Sequence, residues 1–288
     1  GSRSAHYRDI ERIRLAATRQ PCRGANDMSM GQSSILLTGG SGFLGSQVLR
    51  ALLKQTGLQQ VLLASRDKPL QSHSELPSVQ YCPLNLPNQV ALPAGIDVVI
   101  HIAGEKQDES CMEEVNHHGT RRLVEAAAQA SVRRFVYVSS VGVYGAHPHA
   151  GVVTELFPHT PRNRYELSKD NGENSVINLC QQFGMESVIL QPSNVIGIVS
   201  GRSYPLLGLM RAVQRCRFTW FGAGDPWVNY VAVEDVAAAV VKAVNKTPSG
   251  QTFIINTPAR LSDVIRWISE ELGIPVPRRS RKLWVGQV

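Results

Sequence analysis

Short apolar runs rich in Val, Ile and Leu alternate along this chain with longer stretches whose apolar residues recur at helical spacing. The strand-like runs fall at 35–38, 60–64, 79–82, 98–102, 135–139 and 187–191. Helical stretches fill 46–55, 119–130 and 165–183 between them. Near-continuous apolar strands separated by amphipathic helices form a parallel sheet covered on both faces. The pattern therefore predicts an α/β, doubly wound, Rossmann-type sheet.

Beyond 191 the pattern changes. A stretch rich in Gly and Pro, 191–208, marks where the sheet gives way to a small, discontinuous C-terminal lobe. A late strand is expected at 253–256 and helices at 230–244 and 262–272, the second capped by Ser262 with Asp263 in its first turn. The expected organisation is an N-terminal extension or tag-derived segment at 1–30, a dinucleotide-binding domain at 31–191, and mainly a substrate-binding lobe at 192–288. Gly1-Ser2 reads as an expression scar, with Met28 or Met30 as the natural start. Ile10, Ile13 and Ala17 at helical spacing leave open a short docking helix or targeting remnant.

At 288 residues and 43% hydrophobic, the chain is long enough for one such domain and a small lobe. No apolar run reaches the roughly 20 residues that a membrane span needs. The net charge of +7 sits at the ends: residues 1–30 hold six Arg against three acids, and Arg278, Arg279, Arg281 and Lys282 close the chain, so the body is neutral. That distribution argues against a nucleic-acid partner. Cys22, Cys82, Cys111, Cys180 and Cys216 are scattered, odd in number and without a CxxC, which fits a reducing cytoplasm better than a disulfide framework. His117-His118 and His147-Pro148-His149 read as solvated loop histidines, and no metal is expected.

Chemistry first shows in Thr38-Gly39-Gly40-Ser41-Gly42-Phe43-Leu44-Gly45, which follows the first strand and precedes a helix. Glycines there permit a tight turn, bring bare backbone N–H groups against a pyrophosphate and let helix and strand pack closely. About twenty residues on, where an NAD site places an acid on the ribose hydroxyls, the second strand ends in Ser65-Arg66. A guanidinium and a hydroxyl suit a 2′-phosphate, so NADP is expected and NAD remains possible. The alternative leaves Arg66 in solvent with Asp67 serving the ribose.

Tyr165 and Lys169 stand four apart, one turn from each other on one helix face. Upstream, Ser139-Ser140-Val141-Gly142-Val143-Tyr144-Gly145 lies at the carboxyl end of a strand, where ligands bind in open α/β sheets. An adjacent cation favours phenolate, as a tyrosine base at neutral pH requires.

With His101-Ile102-Ala103-Gly104 after the fourth strand and Asn116-His117-His118-Gly119-Thr120 opening a helix, these motifs come in an order that resembles the extended short-chain dehydrogenase/reductase family. The resemblance, to its epimerases, dehydratases and ketone reductases, runs from Ser34 to about Leu272. It implies that Tyr165 is the general acid/base, that Lys169 holds the nicotinamide ribose and lowers the tyrosine pKa, and that Ser140 hydrogen-bonds the reacting oxygen. It implies further cofactor contacts at Gly39, Gly42, Phe43, Leu44, Gly45, Ser65, Arg66, Ala103, Asn116 and Pro192. Asn85-Leu86 stands where the family has Asp-Leu beside the adenine. Asn116 reads alternatively as a simple helix cap, and Pro192-Ser193-Asn194 as only a turn.

One departure steers the substrate. Nucleotide-sugar members carry an Arg that clamps the diphosphate in a run R-D-Y-I-H-V-x-D; here the Arg and His positions are Val228 and Ala232. Arg202, Arg211, Arg215 and Arg217 could substitute, or form a solvated helix face. The leading expectation is thus an NADP(H)-dependent oxidoreductase interconverting a small ketone and an alcohol, a soluble cytoplasmic protein that could form a homodimer. The alternatives are a nucleotide-sugar epimerase or dehydratase with tightly held NAD(P), and a dinucleotide-sensing protein without turnover.

Overall fold

The structure, a computed structural model, describes residues 33–66, 78–86, 88, 90–147, 151–199, 202–203, 206–222 and 224–281. The expectations for residues 1–30, Asp67, Pro148, His149, the Arg202 side chain and Lys282 lie outside the described residues.

Seven parallel strands form the main sheet: β1 (Ser33–Thr38), β2 (Leu58–Ser65), β3 (Val79–Pro83), β4 (Val98–His101), β5 (Arg134–Val138), β6 (Glu186–Pro192) and β12 (Gln251–Ile255). Their order is β12-β6-β5-β4-β1-β2-β3, so the chain reverses direction across the sheet between β1 and β4. Side chains alternate across β1: Ile35 and Leu37 join one apolar cluster and Leu36 the other. Helices α1 (Phe43–Leu52) and α5 (Val233–Asn245) cover the first face with Val48, Leu49, Leu52, Val240 and Val244. Helices α2 (Thr120–Gln129) and α3 (Arg164–Phe183) cover the second with Leu123, Val124, Val176 and Cys180. Burial on both faces explains why the strands read as continuous apolar runs.

The chain divides into two compact units. The larger holds described residues 33–193 and 234–255, the main sheet and helices α1, α2, α3 and α5. The smaller holds 194–233 and 256–281. In it β11 (Trp227–Ala232) lies between β7 (Asn194–Ile196) and β13 (Thr257–Arg260), beside the short pairs β8 (Ile198–Val199) with β9 (Arg202–Ser203) and β10 (Trp220–Phe221) with β14 (Ser280–Arg281). Helices α4 (Leu206–Gln214) and α6 (Leu261–Leu272) bury Leu206, Met210, Val213, Ile265 and Ile268 in its core.

Four local expectations are corrected. Tyr230 does not begin a helix: Tyr230, Val231 and Ala232 pair with Asn194, Val195 and Ile196 of β7, and α5 starts only at Val233. Ser262 is not a cap but lies inside α6, with its backbone N and its hydroxyl on the Asp225 carboxylate at 2.9 and 2.6 Å. An acid distant in sequence therefore satisfies a donor at that helix start. Asn116 opens nothing. It sits within a π-helical turn, Glu113–Gly119, that runs straight into α2. On the same turn His117 is no loop histidine, its Nδ1 lying 2.6 Å from Glu113.

Candidate active site

The glycine loop joins β1 to α1 at the carboxyl edge of the sheet, beside the point where the strand order reverses. Gly39 adopts φ +70°, and a Cβ there would stand 2.7 Å from the Ala103 backbone N at the end of β4. A Cβ on Gly45 would come within 2.0 Å of the Gly39 carbonyl oxygen. These two glycines let α1 start directly under the loop. No side chain caps α1 at Gly42, and no acidic residue stands in its first turn, Phe43 to Gly45. An uncapped helix N-terminus free of carboxylates suits an anion such as a pyrophosphate. The residues present fit a dinucleotide on these grounds.

Ser65 ends β2 half-buried and Arg66 follows it exposed. Both carbonyls accept the Tyr81 hydroxyl, at 3.2 and 3.1 Å, which ties this corner to β3. Asn85 and Leu86 lie half-buried just after β3, with Leu86 over Gly119, where an added Cβ would meet it at 3.2 Å. Pro192 closes β6, buried and paired with Ile255. All these residues belong to the larger unit.

Asn116 is 1% exposed and uses its whole side chain. Its Oδ1 accepts Glu105 N at 2.7 Å, while Nδ2 donates to Glu105 O at 2.7 Å and to Ser168 Oγ at 2.9 Å. Ser168 Oγ donates in turn to the Tyr165 carbonyl oxygen at 2.9 Å. Asn116 thus fixes the loop after β4 to the turn of α3 that carries Tyr165 and Lys169. The contact is close because Gly172 has no Cβ; one would stand 2.5 Å from the Asn116 carbonyl oxygen.

Ser140, just after β5, accepts Gly142 N at 3.1 Å, and its hydroxyl faces the Tyr165 phenol closely enough to act on that phenol's pKa. The structure places Ser140 and Tyr165 side by side. The electrostatics differ from expectation. Burial pushes the Tyr165 phenol above its ordinary pKa, and the Ser140 hydroxyl acts in the opposite sense. Lys169 instead donates to the Val138 carbonyl oxygen at 2.8 Å, with Nζ 4.2 Å above the Tyr137 ring. A buried ammonium takes the nearest good acceptor, and here that is a backbone carbonyl. Burial lowers the Lys169 pKa to about 7, opposed by Glu173.

Behind the site lie groups that motif spacing did not single out. His101 is fully buried between Thr38 and Thr120, and burial followed by the Lys169 charge lowers its pKa to about 3. Glu173, 2% exposed and one turn beyond Lys169, receives Gln191 Nε2 on both oxygens at 2.9 and 3.1 Å. The i,i+4 spacing from Lys169 was the available signal for Glu173. His101 stood within a quoted motif, but only the sheet register shows what it bonds. In the smaller unit Val228 packs against that unit's apolar core, and Ala232 ends β11 paired with Ile196.

A family model described as NAD dependent epimerase/dehydratase family matches residues 35–256. The dTDP-D-glucose 4,6-dehydratase of Homo sapiens is 27% identical over 253 residues, covering 80% of this chain and 71% of the relative. The UDP-glucose 4-epimerase of Vibrio cholerae is 28% identical over 277 residues, covering 91% and 82%. Among solved structures, UDP-glucuronic acid 4-epimerase from Bacillus cereus, crystallised in complex with NAD, superposes with a TM-score of 0.71 at 23% identity, covering 86% of this chain and 87% of that one.

Proposed function

The chain belongs to the NAD dependent epimerase/dehydratase family, and from that premise we propose that it is a nucleotide-sugar epimerase or dehydratase working with a held nicotinamide dinucleotide. One observation carries this reading over a free-standing ketone/alcohol oxidoreductase: a dehydratase and an epimerase align with this chain over 71% and 82% of their own lengths. The redox expectation survives in a coarser form, since both reactions begin by oxidising an alcohol and end by returning the hydride to the sugar, to the carbonyl in an epimerase and to the carbon-carbon double bond left by loss of water in a dehydratase.

In this reading Tyr165 takes the proton of the sugar hydroxyl at its phenolic oxygen and, in an epimerase, returns it when the carbonyl is reduced. The Ser140 hydroxyl, facing that phenol, orients the reacting oxygen and stabilises the charge that develops on it. Lys169 holds the ribose hydroxyls and offers its ammonium to the phenolate. The dinucleotide, when bound, supplies the hydride acceptor and donor. The glycine loop and the start of α1 would hold its pyrophosphate, Asn85 and Leu86 its adenine, Ser65 and Arg66 its adenosine ribose, and Ala103, Asn116 and Pro192 its nicotinamide half. The exposed Arg66 favours a 2′-phosphate there.

A second reading keeps the ketone/alcohol reductase, because Val228 and Ala232 stand where a diphosphate clamp would put Arg and His. The two separate cleanly in one experiment. The purified chain is incubated with dTDP-glucose, UDP-glucose and UDP-glucuronic acid without added cofactor, and products are followed by proton NMR. Epimer or 4-keto-6-deoxy product with no net change in NAD(P)H supports the proposal. Stoichiometric NADPH oxidation by simple carbonyls, with no nucleotide-sugar turnover, would overturn it.

A further inference from the structure

Glu173 is buried deep behind Lys169, yet the reading above gives it no task. Its carboxylate is held by Gln191 Nε2, and Gln191 Oε1 accepts the Tyr144 hydroxyl at 2.7 Å. The Tyr144 ring stands edge-on to His159 at 4.9 Å between centroids. His159 is partly open to solvent, with Nδ1 2.6 Å from Asp170 and Nε2 3.9 Å from Glu173 Oε1. A continuous set of polar groups thus runs from the surface at His159 to the turn of α3 that bears Lys169.

The charged and titratable groups around Glu173 come from every element packed on it. Its own helix supplies Lys169, Asp170 and Tyr165; β5 supplies Tyr137; the turn after Ser140 supplies Tyr144; the following loop supplies His159 and, next to Tyr144, Glu155. Within this set Glu173 is the carboxylate whose charge supports the ammonium of Lys169, while Asp170 is engaged with His159.

We propose that Glu173 is a positioning residue that sets the charge of Lys169, and that it exchanges its proton with solvent through His159. The inference deepens the reading above, since it concerns the lysine assigned there to the ribose and the phenolate. With Glu173 ionised, the buried ammonium has a counter-charge one turn away and keeps its proton. The reverse state arises when a His159 imidazolium, its Nδ1 on Asp170, passes the Nε2 proton to Glu173 Oε1. The carboxylate becomes a neutral acid, the imidazole becomes neutral, and solvent reprotonates it. The transfer needs an approach of about 1 Å to reach hydrogen-bond length. Lys169, losing its counter-charge in a buried site, then releases its own proton to water. Burial raises the Glu173 pKa and lowers that of Lys169, so the two groups move towards each other from opposite sides.

The test reads Lys169 directly. Lysine labelled with carbon-13 at Cε is incorporated into the full chain, Lys169 is assigned through Lys169→Arg, and its shift is followed against pH without substrate. In Glu173→Gln the Lys169 midpoint falls by one pH unit or more, and Glu173→Asp restores most of the loss. In His159→Gln, at a partly exposed position, the exchange between the charged and neutral forms of Lys169 slows tenfold or more. An unchanged midpoint in Glu173→Gln overturns the proposal. Should that variant not fold, Glu173→Met is measured in its place, and an unchanged midpoint there overturns the proposal alone. An exchange rate at Lys169, read from its line broadening, that is unchanged in His159→Gln overturns the His159 route and keeps the positioning role. No substrate enters the measurement, so a failed substrate assignment leaves its outcome intact.

Discussion

The Thr38 hydroxyl and Nδ1 of His101 lie 2.7 Å apart in the buried seam between β1 and β4. The direction of that bond follows from its neighbours. Thr120 Oγ1 donates to the Asn116 carbonyl oxygen at 2.6 Å, so the His101 Nε2–H donates to Thr120 Oγ1 at 2.9 Å. Nδ1 is then an acceptor and takes the Thr38 proton. Thr38 Oγ1 still accepts the backbone N–H groups of Ile102 and Ala103, both at 3.1 Å. One neutral imidazole tautomer therefore ties the loop after β4 to the end of β1 and to the helix that Asn116 precedes.

This arrangement predicts acid sensitivity. The folded-state pKa of His101 is lowered to about 3 from 6.5, so between those values the unfolded chain binds a proton that the folded chain does not. Stability from this group is full above pH 6.5 and falls as the pH drops towards 3, with a slope of about 1.4 kcal/mol per pH unit. Urea denaturation at pH 7, 5.5 and 4.5 measures it. His101→Gln, which does not titrate, should be less stable at pH 7 but lose less on acidification; equal slopes in the two proteins would refute the assignment.

Gly45→Ala should destroy dinucleotide binding, because its Cβ would fall 2.0 Å from the Gly39 carbonyl oxygen and α1 would have to move off the loop. Overpacking of this kind costs about 1–3 kcal/mol, and affinity should fall more than tenfold by fluorescence titration. Gly208→Ala in α4 is the control. Nothing lies within 4 Å of its added Cβ, and helix propensity makes it about 0.5–1 kcal/mol more stable. Wild-type affinity in Gly45→Ala would refute the cradle.

Tyr165→Phe removes the proton-carrying oxygen and keeps the ring. Turnover of whichever nucleotide sugar is accepted should drop roughly 10²–10⁴-fold, while dinucleotide affinity stays within a factor of about two to three. Ser140→Ala should cost activity by a smaller factor. Full activity in Tyr165→Phe would remove the tyrosine from the mechanism.

Arg66 is exposed at the end of β2, with the backbone of its corner held by Tyr81. Charge-assisted bonds of about 1.5–3 kcal/mol correspond to a preference of roughly ten- to a hundredfold. Arg66→Ala should therefore weaken NADPH by about that factor and leave NADH unchanged, by calorimetry with both nucleotides. Equal losses for the two would show that Arg66 does not select the 2′-phosphate.

The six strands from β1 to β6 and the helices between them follow from the apolar pattern, because the central strands are buried on both faces and their composition records that burial locally. The glycine positions follow as well, since a tight turn under a helix tolerates no Cβ. The same reasoning placed Ser140 at a strand end and set Tyr165 and Lys169 on one helix face. It failed where partners distant in sequence decide. Tyr230 to Ala232 carry apolar residues that suit a helix, and pairing with β7 and β13 makes them a strand. Ser262 has the chemistry of a cap, but Asp225 supplies the capping oxygens from 37 residues away. Asn116 satisfies three polar groups on two other segments instead of its own helix end. The charge states at the site belong to the tertiary structure altogether. Side-chain type gives Tyr165, Lys169, His101 and Glu173 their ordinary pKa values, and only burial among one another moves each away from them, because desolvation and through-space charge depend on neighbours that the linear order does not name.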